Sequence, residues 1–426
     1  MTAIKRRDFL RGAGLAAGAL LMTSKIAFAG GGTRARLIFV ILRGALDGLT
    51  AVPPYGDPHY ARLRGEVAIA APGSNGGALK LDGLFGLHPS LAFLSECYGA
   101  HELIVFHAIA SPYRERSHFD GQDVLENGCA HAHAVQTGWI NRALAALPPD
   151  RTARRGELGI ALGQNVPLVM RGSAPVASWS PSHLAALDED TLQRITDLYS
   201  TDPVLSQRLA DALATQSVAD AAQGEPTLAG ATEDGAQMSQ AQLLARPAQA
   251  KGKSGAPYKE VIHATAEFLR SDDGPRVAVF DALGWDTHAN EGGAQGQLAA
   301  RLANLDAGLR LLKEELGPVW RDTVVMVATE FGRTAAVNGT RGTDHGTAAA
   351  AFLVGGAVRG GRVIADWPGL SERALYQGRD LAPTLNLHSA LKGVLADHLA
   401  VPTRALDAAV FPDSAAAKPL PDLVHA

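Results

Sequence analysis

Four groups of side chains capable of chemistry punctuate this sequence, each directly behind an apolar run. Residues 36–42 are followed by Arg43-Gly44-Ala45-Leu46-Asp47-Gly48-Leu49, and residues 103–107 by Ser111-Pro112-Tyr113-Arg114-Glu115-Arg116-Ser117-His118-Phe119-Asp120. Behind residues 276–280 comes Gly284-Trp285-Asp286-Thr287-His288. Behind residues 323–328 come Glu330-Phe331-Gly332-Arg333-Thr334 and then Gly342-Thr343-Asp344-His345-Gly346. Singly, most have a structural explanation. Asp47-Gly48 is a common turn pair, and Asp286-x-His288, Asp344-His345 or Ser117 before His118 can each be a helix cap. Glu330 resists that explanation, because a carboxylate at the end of a buried strand must be paired, hydrogen-bonded or metal-bound. Together the groups supply oxygen and nitrogen ligands for one or two divalent cations beside a hydroxyl nucleophile at Ser117. Mixed Asp/His ligation suits Zn²⁺ or Mn²⁺, and more carboxylate-rich ligation suits Mg²⁺ or Ca²⁺. Arg43, Arg114, Arg116 and Arg333 lie near the same ends, where guanidinium groups can hold an anionic substrate.

Such residues meet only if a scaffold brings the ends together. Residues 36–42 (RLIFVIL) form a continuous β-branched and aromatic run, as in a strand buried on both faces. Residues 103–107, 276–280, 323–328 and 350–354 read alike. Helical patterns alternate with them at 89–98, 138–146, 258–270 and 296–316, the last carrying Leu298, Leu302, Leu305, Leu309 and Leu312 at steps of three and four. The alternation predicts an α/β fold with a mostly parallel central sheet and helices on both faces. Ligands of such a sheet sit beyond the carboxyl ends of its strands. A helix is predicted over 188–214. The low-complexity stretch at about 200–256 is either a lid or cap over the site or a tolerated surface insertion.

The first 29 residues read as an export signal. Lys5-Arg6-Arg7-Asp8-Phe9-Leu10-Arg11 precedes an apolar small-residue stretch and then Ala27-Phe28-Ala29, a cleavage site. The adjacent arginines before Phe9-Leu10 resemble the twin-arginine type, whose translocon exports folded proteins. Lys5 stands where that motif usually has Ser or Thr. The expected organisation is a signal at 1–29, one domain at 30–410 and a tail at 411–426, in a periplasmic or secreted protein. No other segment is long and apolar enough for a membrane span of about 20 residues. The whole chain carries 39 basic and 43 acidic side chains. Without residues 1–29 these become 34 and 42, a net charge of −8. That balance excludes a protein that coats nucleic acid. A hydrophobic share of 46% excludes wholesale disorder, and two cysteines exclude a disulfide-dense scaffold. Whether Cys97 and Cys129 pair is left open by their spacing. His131-Ala132-His133 has the spacing of a metal clip but no acidic partner beside it.

Taken together, the motifs at 43–49, 116–123, 284–288, 329–334 and 342–346 resemble the exported bacterial family numbered 1501 among the domains of unknown function, over about residues 34–400. That family is grouped with the alkaline phosphatase and sulfatase superfamily. The resemblance therefore implies an alkaline phosphatase-like, three-layer α/β/α sandwich around a divalent metal centre. It implies Asp47 as the metal-binding Asp after the first strand, and Asp286 and His288 as the Asp and His of the third motif. Glu330 takes a strand-end place where relatives have Asp, and Asp344-His345-Gly346 resembles their Asp-His-Gly. Ser117 falls in the nucleophile region, without the sulfatases' Cys/Ser-x-Pro-x-Arg pattern. Near Thr384-Leu385-Asn386 relatives commonly read Thr-Thr-Asp.

The expected function is metal-assisted hydrolysis of a phosphate or sulfate ester in an anionic small molecule or polysaccharide. Asp47, Asp286, His288, Glu330, Asp344 and His345 are the expected metal residues. Ser117 is the expected nucleophile, His118 a ligand or the acid that protonates the leaving group, and Arg116 and Arg333 the groups facing substrate charge. The alternative is a non-catalytic metal-binding or assembly protein on the same fold, favoured by the loose nucleophile motif and by Asn386.

Overall fold

The apolar runs form strands where the pattern places them, and their ends lengthen by a few residues. A computed structural model of the chain describes residues 34–147, 158–163, 165–181, 256–271 and 274–425. The export segment, the helix expected over 188–214 and almost all of the low-complexity stretch lie outside the described residues. In chain order the strands are β1 (Arg36–Arg43), β2 (Leu79–Lys80), β3 (Gly86–Leu87), β4 (Leu103–Ala110), β5 (Gly159–Leu162), β6 (Val176–Trp179), β7 (Val277–Leu283), β8 (Thr323–Thr329), β9 (Ala349–Val354), β10 (Arg362–Ile364) and β11 (Leu385–Asn386). The helices that matter below are α1 (Gly48–Ala51), α2 (Tyr60–Arg64), α3 (Ala92–Gly99), α4 (His118–Asn127), α5 (Trp139–Ala146), α6 (Ala256–Arg270), α7 (Gln297–Leu316) and α8 (Leu387–Asp397).

Nine strands make one sheet in the order β10-β4-β9-β8-β1-β7-β5-β6, with β11 also on β4, while β2 and β3 form a separate hairpin. Every pairing in the large sheet is parallel except those of β9, which runs antiparallel to both β4 and β8. The carboxyl ends of β4, β8, β1 and β7 and the amino end of β9 therefore share one edge. All four chemical groups of the sequence arrive at that edge.

Alternate residues of β1 feed two cores. Ile38, Val40 and Leu42 pack with α3, α6 and α7, whereas Leu37, Phe39 and Ile41 pack with α5 and α8. Both faces of the central strand are dry, which explains why its sequence is apolar without alternation. On α7 the leucine stripe read from the sequence is buried throughout. Residues 411–425, expected as a tail, pack on the body, with Phe411 and Leu423 fully buried and Val424 bridging Val358. Cys97 and Cys129 are buried free thiols, and burial pushes the Cys97 thiol up to about 12. Among the described residues no helix is long and apolar enough to cross a membrane.

Candidate metal centre

Each turn at the shared edge has a local reason to be there. Behind β1, Gly44 adopts φ +119°, and a Cβ there would lie 2.6 Å from the Asp286 nitrogen. Glycine thus lets the β1 turn and the β7 turn touch. Arg333, buried after β8, ties these turns together. Its Nε donates to the Ala45 carbonyl at 2.9 Å, Nη1 to Thr343 at 3.0 Å, and Nη2 to Gly44 at 2.7 Å and Trp285 at 3.2 Å. Nη2 also donates to the Asp286 carboxylate. The turns at Gly44–Ala45, Trp285–Asp286 and Thr343 are fixed by one guanidinium. Arg333 was expected to face substrate; its donors are instead largely spent on the protein's own backbone.

Three imidazoles converge on Asp286 Oδ1. His288 Nε2 lies 3.1 Å away, His345 Nε2 3.4 Å and His118 Nε2 3.5 Å. His118, Asp286 and His345 offer ligand atoms all within 4.8 Å of one another, and His288 Nε2 is 2.9 Å from His345 Nε2. The opposite ring nitrogens decide what these atoms can be. His118 Nδ1 donates to Glu330 Oε1 at 2.8 Å, His288 Nδ1 to Asp344 Oδ1 at 3.2 Å, and His345 Nδ1 to the Arg116 carbonyl at 2.9 Å. With acceptors at all three Nδ1 atoms, the neutral rings carry their hydrogens there and turn three Nε2 lone pairs inward. His288 and His345 then present lone pairs to each other across 2.9 Å, and buried His118 Nε2 has no hydrogen-bond partner among the described residues. The Arg333 guanidinium already brings one positive charge to this cluster, at Asp286 Oδ1 and 3.5 Å from His288 Nε2, and the lone pairs of His118 and His345 remain for a metal cation. The triad His118, Asp286 and His345 fits one divalent metal, with His288 Nε2 beside it and each imidazole oriented from behind by an acceptor.

The local electrostatics keep Asp286 and His345 in ligand form and pull His118 the other way. Burial opposes ionisation of Asp286, but the hydrogen bond and charge of Arg333 override it and hold the carboxyl below its usual range. Burial lowers His345 and keeps that ring neutral. The bond to Glu330 raises His118. Glu330 is also held ionised against its burial, chiefly by His118 and Gln122 and by the Gly44 amide. Its Oε2 accepts from Thr329 Oγ1 at 2.9 Å, so both oxygens are used. Glu330→Gln should therefore lower divalent-metal affinity by roughly 10- to 100-fold, the usual effect of removing an orienting partner. Competition with a chelating dye measures this, and an unchanged affinity would mean that Glu330 does not orient His118.

Not every residue expected at the site joins the cluster. Glu330 and Asp344 stand behind His118 and His288. Asp47 is fully buried, caps α1 through Leu49 N–H at 3.0 Å, and pairs with Arg64 of α2. Glu291 completes that buried group, accepting from Thr343 Oγ1 at 2.7 Å and lying 3.8 Å from Arg64 Nη2. Arg116 holds Asp380 and Gln377 with its guanidinium. Its backbone adopts φ +63°, a left-handed conformation for a non-glycine residue, and its carbonyl receives His345. Ser117 precedes α4 but its side chain makes no capping bond; its amide and hydroxyl lie against the Tyr113 phenol. Asn386 is a helix cap, accepting from His388 N–H at 2.8 Å. His133 does have acidic partners, Asp120 at 3.1 Å and Asp123 at 3.4 Å, reached because α4 returns past it.

Arg64, Glu291, Tyr113 and Gln122 were not legible as site residues. Gln122 alone carried a signal, four residues after His118 on a helix and hence on the same face. Residues 107–408 match a family described as protein of unknown function (DUF1501). Among curated proteins none matches the chain.

Proposed function

The chain belongs to the DUF1501 family, and from that premise we propose that it is an exported, metal-dependent hydrolase of phosphate or sulfate esters. The observation that carries the reading is the inward convergence of three imidazole Nε2 atoms on Asp286. A divalent cation bound there would supply Lewis acidity toward an ester oxygen and lower the pKa of a neighbouring hydroxyl. Three imidazoles and one carboxylate favour Zn²⁺ or Mn²⁺ over Mg²⁺ or Ca²⁺. Because Asp47 is engaged by Arg64, the chain's own ligands suffice for one cation rather than two.

In this proposal Ser117, adjacent to the ligand His118, is the nucleophile, and the Tyr113 phenol positions its hydroxyl and amide. Arg116 places its guanidinium, half-buried beside Asp380, on the negative charge of the ester. Arg333 holds Asp286 and the surrounding turns in place. Phe119, 88% exposed on the first turn of α4, offers an apolar contact to the leaving group. An alkaline phosphatase-like form of the α/β fold accords with ligands gathered at the carboxyl edge of a mostly parallel sheet. Export by the twin-arginine translocon rests on Arg6 and Arg7, and on a metal site assembled from three distant segments, which suits transport after folding.

The second reading, a non-catalytic metal-binding or assembly protein, draws on Asp47 being committed to the fold and on Asn386 being a cap. Aryl phosphate, phosphodiester and aryl sulfate substrates, each assayed with Zn²⁺ and Mn²⁺, separate the two. Turnover abolished by Ser117→Ala with metal content unchanged is the expected result. Metal retention without turnover of any substrate would establish the second reading.

A further inference from the structure

We infer that a cleft between α6 and α7, distinct from the metal cluster, binds an amphipathic organic anion. The cleft has a volume of about 500 Å³ and is bounded by both helices and by the end of β7. That size lies within the range of small-molecule sites. Its walls are largely apolar, with Val261, Ile262, Leu305 and Leu311 among them. Leu283 lies at its mouth with 68% of its surface exposed, although it ends a buried strand.

Two polar atoms inside the cleft stand out. Tyr258 Oη and Asp281 Oδ1 are buried without a hydrogen-bond partner among the described residues. The phenol reaches its place because Gly308 of the continuous helix α7 has no side chain: a Cβ at that position would lie 2.4 Å from the Tyr258 ring. Glycine inside a helix is unfavourable relative to alanine, and here it makes room for this ring. Arg301 lies against the turn at Gly284 and, like Lys259, has no ion-pair partner among the described residues. Asp281 is the acidic side chain of the lining, and its Oδ2 is already neutralised by Arg43 Nε at 2.8 Å. The cleft is therefore apolar within and positive in balance. An apolar body with an anionic head on Arg301 and Lys259 matches both properties, and a polar substituent along that body would meet Tyr258 and Asp281.

Calorimetric titration of the full chain with decanoate and with decyltrimethylammonium tests the inference, because the two differ in the sign of the head and share the chain length. Decanoate should bind and the cation should not. Arg301→Gln should weaken decanoate by about tenfold or more, the scale of a lost charge-assisted hydrogen bond. Ala307→Phe, at an exposed position of the lining, should block binding while leaving the fold intact. Binding should persist in His345→Ala, which separates this site from the metal cluster. The inference is overturned if neither amphiphile binds, if both bind alike, or if Arg301→Gln changes nothing.

Discussion

In the proposed centre, replacing His345 with alanine should abolish divalent-cation binding while leaving the chain folded. His345 Nε2 is the ring atom that meets both His288 Nε2, at 2.9 Å, and Asp286 Oδ1, at 3.4 Å. Its removal takes away one of the three imidazoles that meet the carboxylate. The loss of affinity should exceed the roughly 10- to 100-fold effect of an orienting residue such as Glu330. The ring is part-buried and its backbone partner, the Arg116 carbonyl, can turn to water, so the fold should tolerate the change. Metal protection against thermal unfolding should vanish with the metal, since a ligand stabilises only the state that binds it. Acid should mimic the substitution. Protons compete with the metal for Nε2, and His118 is raised above its usual value by Glu330. Metal should therefore be released as pH falls through the imidazole range, beginning with His118. Metal content and melting temperature, measured together from about pH 5 to pH 8, check this; a His345→Ala chain that keeps its metal refutes it.

The second large effect concerns stability. Arg64→Met should cost the fold about 3–5 kcal/mol, the usual consequence of removing one partner from a buried ion pair. Arg64 and Asp47 are both fully buried, and Arg64 also donates to Thr50 Oγ1 at 2.7 Å and to the carbonyls of Thr334 and Ala335. Burial opposes ionisation of Asp47, yet Arg64 holds it below its usual range. Its share of stability is present above the unfolded value near about 3.9 and is lost as pH falls through the folded one. Glu291 behaves oppositely: burial, reinforced by Asp47, pushes it up to about 9. The folded chain keeps a proton there that the unfolded chain releases near about pH 4.3. That contribution is full below the unfolded value and fades as pH rises toward about 9. Glu291→Gln should flatten this decline in denaturant-unfolding stability. A metal stoichiometry unchanged in Asp47→Asn would place this group in the fold rather than the centre.

The sequence was most readable where burial dictates residue type. An apolar run buried on both faces, such as β1, can hardly be written otherwise, and the stripe on α7 has the helical period. The carboxyl-edge placement followed from the strand direction alone. Individual roles were less readable, because Asp47, Glu330 and Asp344 look alike in sequence. Their tasks separate only in three dimensions, where Arg64 claims Asp47 while His118 and His288 claim the other two. Arg333 was similarly ambiguous: an arginine that holds three turns and one that holds a substrate have the same local sequence. The antiparallel course of β9 also had no signal, since its residues are buried like those of the parallel strands β1 and β8.

The most direct measurement is the metal content of the purified full chain after equilibrium dialysis against Zn²⁺ or Mn²⁺, with His118→Ala and Asp47→Asn run beside it. The expected result is about one cation per chain, the number that three imidazoles and one carboxylate can hold, retained in Asp47→Asn and lost in His118→Ala. A wild-type chain that binds no cation, or one that binds two and loses them in Asp47→Asn, would contradict a centre built on His118, His288, His345 and Asp286.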